Sequence, residues 1–140
     1  MVRIHTHAGW KHIDRLFEAG SMVGLTDRQL LDRFLAGESA EAAFEALVDR
    51  HGPMVRSVCL SVLRDAHEAD DAFQAVFLVL ASRARAIRQR DAVGSWLYGV
   101  ACRVAARARA DDGHRRQLER SHAEITGKNL LIPQVNATFY

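Results

Sequence analysis

Apolar residues recur at helical spacing along most of the chain, and turn residues between them divide it into five predicted helices. Thr26 opens the first with the capping box Thr-Asp-Arg-Gln, and Gly37 ends it. Ser39 is expected to cap the second helix, which residues 51–52 stop before Pro53 starts the third. The pattern therefore predicts an all-α fold, a bundle of about five helices.

The fourth predicted helix begins at the capping step Asp65-Ala-His-Glu and runs to about Ile87. At 100° per residue its apolar positions share one buried arc, made of Phe73, Val76, Phe77, Leu80, Ala84 and Ile87. A second, outward arc places Leu78 within an acidic and polar surface formed by Asp70, Asp71 and Gln74. This combination suits a partner surface, and the alternative is an ordinary exposed leucine.

A polar loop with Arg88 and Arg90 leads into the fifth predicted helix, residues 93–110, which Asp111-Asp112-Gly113 is expected to stop. One border of its apolar arc carries Trp96, Arg103 and Arg107, and the other carries Tyr98 and Arg109. We expect one core shared by all the helices; its predicted members are Phe44, Leu47, Val58, Val62, Phe73, Phe77, Leu80, Leu97, Val100 and Val104.

Charge is distributed unevenly along the chain, although the net charge is only +2. Residues 27–82 carry five basic and ten acidic groups, a net of −5, whereas residues 83–120 carry ten arginines and four acids, a net of +6. Arginines interleaved with aromatic rings suit single-stranded nucleic acid, because guanidinium groups bind phosphates and rings stack on bases. The alternative is a solvated basic helix whose tryptophan belongs to the core.

Length leaves room for one domain. The predicted division is an arm at 1–24 with a short helix, a helical domain at 25–112 and an irregular tail at 113–140. The arm's short helix is suggested by the spacing of Trp10, Ile13, Leu16 and Phe17.

The longest apolar run, residues 75–81, is far below the ~20 residues of a membrane span, and no signal peptide is evident. We therefore expect a cytoplasmic protein.

Catalytic chemistry is not indicated. Asp70 and Asp71 diverge by about 100° on a helix, so they do not make a catalytic carboxylate pair. The seven histidines lack ligand partners at helical spacing, and Cys59 and Cys102 lack zinc spacing. We predict that the chain is not an enzyme and holds no metal or cofactor.

Two segments resemble a known family: FEALVDRHGPMVRSVCLSVLRDAHEADDAFQAVFLVLASRARAI and GSWLYGVACRVAARARA. The acidic pair Asp70-Asp71, followed by Phe73-Gln74 and Phe77-Leu78, precedes a Ser-Trp-Leu-Tyr helix start by about twenty residues. This combination is similar to conserved region 2 of bacterial RNA polymerase sigma factors of the sigma-70 family, in the extracytoplasmic-function (ECF) group.

The resemblance implies two binding surfaces. The helix matching residues 67–87 would bind the clamp helices of the polymerase β′ subunit through Asp70, Asp71, Gln74 and Leu78. The helix matching residues 93–110, with its preceding loop, would recognise and melt the minus-ten promoter element and capture a base of the non-template strand. Its implied DNA-binding residues are Arg88, Arg90, Trp96, Tyr98, Arg103 and Arg107. An anti-sigma factor is a further implied partner.

Two departures limit the resemblance. Ala101-Cys102-Arg103 replaces the Ala-Arg-Asn of many members, so base preference cannot be transferred. Only about twenty residues follow Arg120, which leaves no room for region 4, so we expect a fragment, a truncated product or a factor that uses region 2 alone. The alternative function is a region 2 interaction module that binds core polymerase or an anti-sigma factor without initiating transcription alone. A helical bundle with solubilising arginines is a third interpretation.

Overall fold

The computed structural model describes residue 17 and residues 20–136, with side chains up to residue 127. This part of the chain contains α1 (Asp27–Ala36), α2 (Ala40–Leu63), α3 (Ala66–Arg83) and α4 (Val93–Asn136). Two short 3-10 turns, Ala84–Ala86 and Arg90–Ala92, connect α3 to α4. The described residues contain no strand, which confirms the predicted all-α bundle.

The core lies where α2, α3 and α4 pack against one another, and α1 covers α2 through the fully buried Leu30 and Leu31. Every predicted core residue is either buried or packed against this cluster, so that prediction is confirmed. Phe77 is 5% exposed and lies 5.0 Å from Phe73 and 6.4 Å from Phe44, measured between ring centroids. These tilted and edge-on rings join α2 to α3.

The helix boundaries predicted at Thr26, Gly37 and Asp65 are confirmed. Thr26 and Gln29 form the capping box, with hydrogen bonds of 3.2 and 2.9 Å, and Gly37 has the left-handed φ of 76° that favours glycine. Asp65 accepts hydrogen bonds from the first backbone N–H groups of α3. The capping role predicted for Ser39 is wrong, because its backbone is left-handed and its side chain makes no capping hydrogen bond.

The predicted break between the second and third helices is also wrong, because α2 runs straight through Pro53. A proline inside a helix costs ~3 kcal/mol. Leu47 before the proline and Val55 and Cys59 after it are all fully buried, at spacings that keep them on one face. Burying two apolar side chains contributes ~3 to 6 kcal/mol, which is enough to offset the cost of the proline.

Helix α4 does not stop at Asp111-Asp112-Gly113, so its predicted end near residue 110 is wrong. Asp112 forms ion pairs with Arg115 (3.0 Å) and Arg116 (3.1 Å), one turn further along the same helix. These pairs support the helix, whereas the exposed Gly113 costs only ~1 kcal/mol relative to alanine. Residues 113–136, predicted to be irregular, are therefore helical.

The division into arm, domain and tail stays a prediction. Trp10, Ile13 and Leu16 lie outside the described residues, and Phe17 is 78% exposed. Among the described helices, none has the length and apolar character needed to cross a membrane.

Candidate functional site

The outward side of α3 forms the first candidate surface, and we call its residues Asp70, Asp71, Gln74 and Leu78 the outer face. Leu78 is 69% exposed, and Asp71 and Gln74 are exposed beside it. Asp70 is half-buried and forms an ion pair with Arg56 of α2, with 3.0 Å between Oδ1 and Nη1. The outward arc predicted from helical spacing is therefore present.

An apolar groove of about 260 Å³ runs between α2 and α3 next to the outer face. We call it the aromatic groove; its lining residues are Phe44, Val48, Phe73, Gln74, Phe77 and Leu78. Leu78 is thus the exposed rim of a continuous apolar surface, which favours a binding role over that of an isolated surface leucine.

A second groove, of about 360 Å³, separates the other side of α3 from α4 and is acidic. Glu68, Asp71 and Asp112 lie along it. Burial raises the pKa of the Glu68 carboxyl, and the neighbouring charge of Asp112 raises this pKa further. No set of three or more potential metal ligands comes together in the described part of the chain.

A third groove, of about 420 Å³, is basic and lies between the C-terminal end of α3 and the first half of α4. Trp96, Arg103 and Arg107 line it from α4, and Arg83 lines it from α3. We call these four residues and the cavity between them the arginine groove. Its apolar walls are Val79, Ala86, Val100 and Val104.

Helical spacing explains why these groups converge. Trp96, Arg103 and Arg107 fall within an arc of about 40° on α4, at 100° per residue. Because α4 runs antiparallel to α3, the last turn of α3 brings Arg83 to the same place. The Arg103 guanidinium extends back over Gly99, where an added Cβ would lie 3.6 Å from its Nη1 atom. Arg103 therefore lies along the helix towards Trp96.

The arginines of this groove have no acidic partner among the described residues, unlike six other arginines of the bundle. Arg83, Arg103 and Arg107 make no hydrogen bond or ion pair with any described residue, whereas Arg28, Arg50, Arg56, Arg90, Arg115 and Arg116 are all paired. Trp96 is half-buried and packs against the core. The groove thus presents uncompensated positive charge around an indole ring.

The remaining predicted DNA-binding residues lie outside the groove. Arg88 is exposed, in the loop that follows Ala86, while Arg90 is bonded to Asp32 of α1. Tyr98 is 55% exposed, but it lies about 160° around α4 from Trp96. Arg83 was missed by sequence reasoning, because its place in the groove depends on how α3 and α4 pack.

Comparison with known families decides what kind of domain carries these surfaces. Residues 47–115 match the family model of sigma-70 region 2. This part of the chain belongs to the sigma-70 region 2 family. The match includes the outer face and the whole arginine groove, and α1 precedes it. No match is found among curated proteins or among solved structures.

A sigma-70 region 2 implies the role of a sigma factor, in RNA polymerase binding and promoter melting. The family is not a class of enzymes. The predicted resemblance to sigma-70 region 2 is confirmed, and the residues that would contact polymerase and DNA remain to be assigned on physical grounds.

Proposed function

We propose that this chain is an ECF-type sigma factor module with one surface for each of its two partners. The outer face of α3 binds the β′ clamp helices of core RNA polymerase. The arginine groove, together with Arg88, binds the unpaired non-template strand of the minus-ten element. The ECF assignment is supported by the sequence resemblance of residues 44–87 and 94–110. Such a factor acts in the cytoplasm, alongside the polymerase.

The observation that carries the DNA assignment is the convergence of three unpaired arginines on a half-buried tryptophan. Six other arginines of the bundle are neutralised by carboxylates of the same chain, for example Arg28, Arg50 and Arg56 at 2.8 to 3.0 Å. In the groove no described acid does so, and phosphates would supply the missing negative charge. The Trp96 ring offers a face for an unstacked base.

Magnitudes indicate how the groove would promote melting. Extruding a base costs a few kcal/mol, and stacking on one ring returns only ~1 to 3 kcal/mol. The ring alone therefore does not stabilise an open strand, and phosphate contacts by the surrounding arginines supply the rest. Melting follows from preferential binding of the unpaired strand, and this chain makes or breaks no bond.

The polymerase assignment is supported by Leu78 and the aromatic groove beside it. An exposed leucine that continues into a phenylalanine-lined groove provides apolar area for a packed helix. Asp70 and Asp71 border this area, so a helical partner with basic flanking residues fits it best. Tyr98 stays a prediction for DNA contact, whereas Arg90, which is bonded to Asp32, is not part of this proposed DNA surface.

Two charge-altering variants test the division. Asp70→Lys with Asp71→Lys should abolish co-purification with core polymerase and preserve helical content. Arg103→Ala with Arg107→Ala should retain polymerase binding but weaken binding of a single-stranded minus-ten oligonucleotide, measured with core polymerase present. Glu38→Lys with Glu45→Lys, and Arg109→Ala, are matched controls elsewhere on the bundle, and they should leave both activities unchanged.

Loss of polymerase binding in the aspartate variant, together with loss of oligonucleotide binding in the arginine variant, would support both assignments. Unchanged co-purification of the aspartate variant would contradict the role of the outer face. Equal oligonucleotide affinity of wild type and arginine variant would contradict the role of the groove. If the wild type binds polymerase but no oligonucleotide under either condition, the alternative interaction module is the better description.

A further inference from the structure

Helix α1 is tied to the loop before α4 by two ion pairs of opposite polarity. Arg28 donates two hydrogen bonds to the Asp91 carboxylate, from Nε at 3.0 Å and from Nη2 at 2.9 Å. One turn further along α1, Asp32 accepts a hydrogen bond from Arg90. A basic and an acidic residue of α1 thus face an acidic and a basic residue of the loop.

The other side of α1 is anchored to α2. Asp27 accepts hydrogen bonds from Arg50 (2.8 Å) and is joined to His51 Nε2 (2.9 Å), and Arg50 also donates to the Leu25 carbonyl at 2.8 Å. The His51 ring lies against Gly94 at the start of α4, where an added Cβ would be 3.2 Å from its Cε1 atom. Helix α1 therefore connects α2 to the loop and lies beside the beginning of α4.

These ion pairs contribute little to global stability. Side chains of Arg28 and Asp91 are 53% and 71% exposed, and exposed pairs contribute only ~0 to 1 kcal/mol. Their effect is local, because Ile87 and Val93 are buried while residues 88–91 between them are exposed or half-exposed. The Arg28–Asp91 and Asp32–Arg90 ion pairs thus hold the middle of this loop against α1.

The loop adjoins the arginine groove. Ala86 forms part of the groove wall, and Arg88 follows it by two residues. The two ion pairs hold Arg90 and Asp91 against α1, which restricts the backbone positions open to the nearby Arg88. Arg28 also neutralises Asp91, whose charge would otherwise repel a phosphate backbone.

We propose that Arg28 and Asp32 are positioning residues for promoter binding, which act by holding Arg90 and Asp91 so that Arg88 is presented beside the arginine groove. This inference rests on the proposed function. In this proposal Arg90 holds the loop against α1 through its ion pair with Asp32 and does not contact a phosphate. All the α1 residues involved precede residue 47, so this positioning comes from a segment ahead of the family match.

Charge exchange across the pair tests the proposal. Asp32→Arg and Arg90→Asp, made singly in the full chain, should each weaken binding of the minus-ten oligonucleotide about fivefold to tenfold in the presence of core polymerase. The double variant should restore the affinity to within about twofold of wild type, with an unchanged salt dependence. Restoration is the result that a phosphate contact by Arg90 cannot give.

Other outcomes would overturn the proposal. If Arg90 contacts phosphate, the double variant stays weak and its log-log salt slope becomes less steep by ~0.7. If Asp32 merely competes with DNA for Arg90, Asp32→Ala tightens binding instead of weakening it. The second exchange, Arg28→Asp with Asp91→Arg, repeats the test independently should the first pair of variants fail to fold.

Arg107→Ala in the same assay separates this inference from the proposed function. Unchanged affinity of Arg107→Ala would mean that the groove does not bind the strand, and the proposed function itself would fail. Weakened affinity of Arg107→Ala, combined with a charge exchange that does not restore binding, would overturn only the positioning role.

Discussion

The outer face of α3 and the arginine groove share one helix, yet they expose opposite kinds of chemistry. On the outer face Asp70 is partnered within the chain by Arg56, and the apolar Leu78 is 69% exposed beside the exposed Asp71 and Gln74. In the groove the ring of Trp96 is half-buried, and the charges are left without partners among the described residues.

This difference indicates what each surface can bind and how salt will affect it. Apolar packing at Leu78 does not depend on screening, whereas phosphate binding releases counterions and weakens steeply with salt. The comparison therefore predicts a polymerase interaction with modest salt dependence and a DNA interaction with strong salt dependence.

The largest expected effect distinguishes the core beneath the outer face from the face itself. Phe77→Ala should lower the free energy of unfolding by ~3 to 5 kcal/mol, because a buried ring that contacts Phe73 and Phe44 is lost. Leu78→Ala, at the adjacent residue, should change this free energy by less than ~0.5 kcal/mol and still weaken polymerase binding. Denaturant unfolding and co-purification measure the two effects.

Each of the two variants, Phe77→Ala and Leu78→Ala, has an outcome that would contradict its prediction. A Phe77→Ala variant with an unchanged unfolding midpoint would mean that this ring does not support the bundle. A Leu78→Ala variant that binds polymerase like wild type would remove the main support for the outer face as a docking surface.

An intermediate effect is expected for the two aromatic residues of α4. Trp96→Ala should weaken oligonucleotide binding by ~1 to 3 kcal/mol if the ring stacks on a base, and it should also lower the melting temperature because the ring packs against the core. Tyr98→Ala removes a 55% exposed ring and should leave the melting temperature almost unchanged. Thermal unfolding and oligonucleotide titration of each variant check both expectations.

Trp96→Phe is the control, since it keeps a ring while removing the indole. If Trp96→Ala lowers the melting temperature but binds the oligonucleotide normally below it, Trp96 is a core residue only. Weakened binding by Tyr98→Ala at unchanged stability would place a second base contact on the opposite border of α4.

The smallest effect concerns the acidic groove at the other end of the α3–α4 contact. The pKa of Glu68 is raised above its ordinary value by burial and by Asp112, so its ionised form is disfavoured in the folded state. A raised carboxyl pKa stabilises the fold at low pH, and this contribution is lost as pH rises through the folded pKa. Glu68→Gln should therefore raise the melting temperature at neutral pH.

That gain should shrink as the pH falls below the ordinary pKa of glutamate, because Glu68 is then protonated in both states. Glu124→Gln is the control, because it removes the same negative charge at an exposed position. An equal shift in both variants, or a gain that persists at low pH, would contradict a specific role for the contact between Glu68 and Asp112.

Helical periodicity was sufficient to predict the fold class, the core and the outward position of Leu78. These depend on residues within a few turns of one helix. The breaks predicted at Gly52-Pro53 and at Gly113 were wrong, because local turn propensity was outweighed by a continuous buried face in α2 and by ion pairs of Asp112 in α4.

The arrangement of the candidate site depends on longer-range packing. Arg83 joins Trp96 only because α3 and α4 are antiparallel, and Arg90 finds Asp32 across 58 positions of sequence. Spacing within α4 correctly grouped Trp96 with Arg103 and Arg107 and separated them from Tyr98. Sequence reasoning could therefore predict the stripe on one helix, but not the second wall of its groove.

The most direct test of the central claim is the salt dependence of minus-ten oligonucleotide binding, with core polymerase present. We expect the log-log slope for the Arg103→Ala, Arg107→Ala variant to be less steep than that of wild type by ~1.4, for two phosphates at ~0.7 each. Co-purification of both proteins with polymerase should remain equal. Identical slopes for wild type and variant would contradict the claim that these arginines bind the strand.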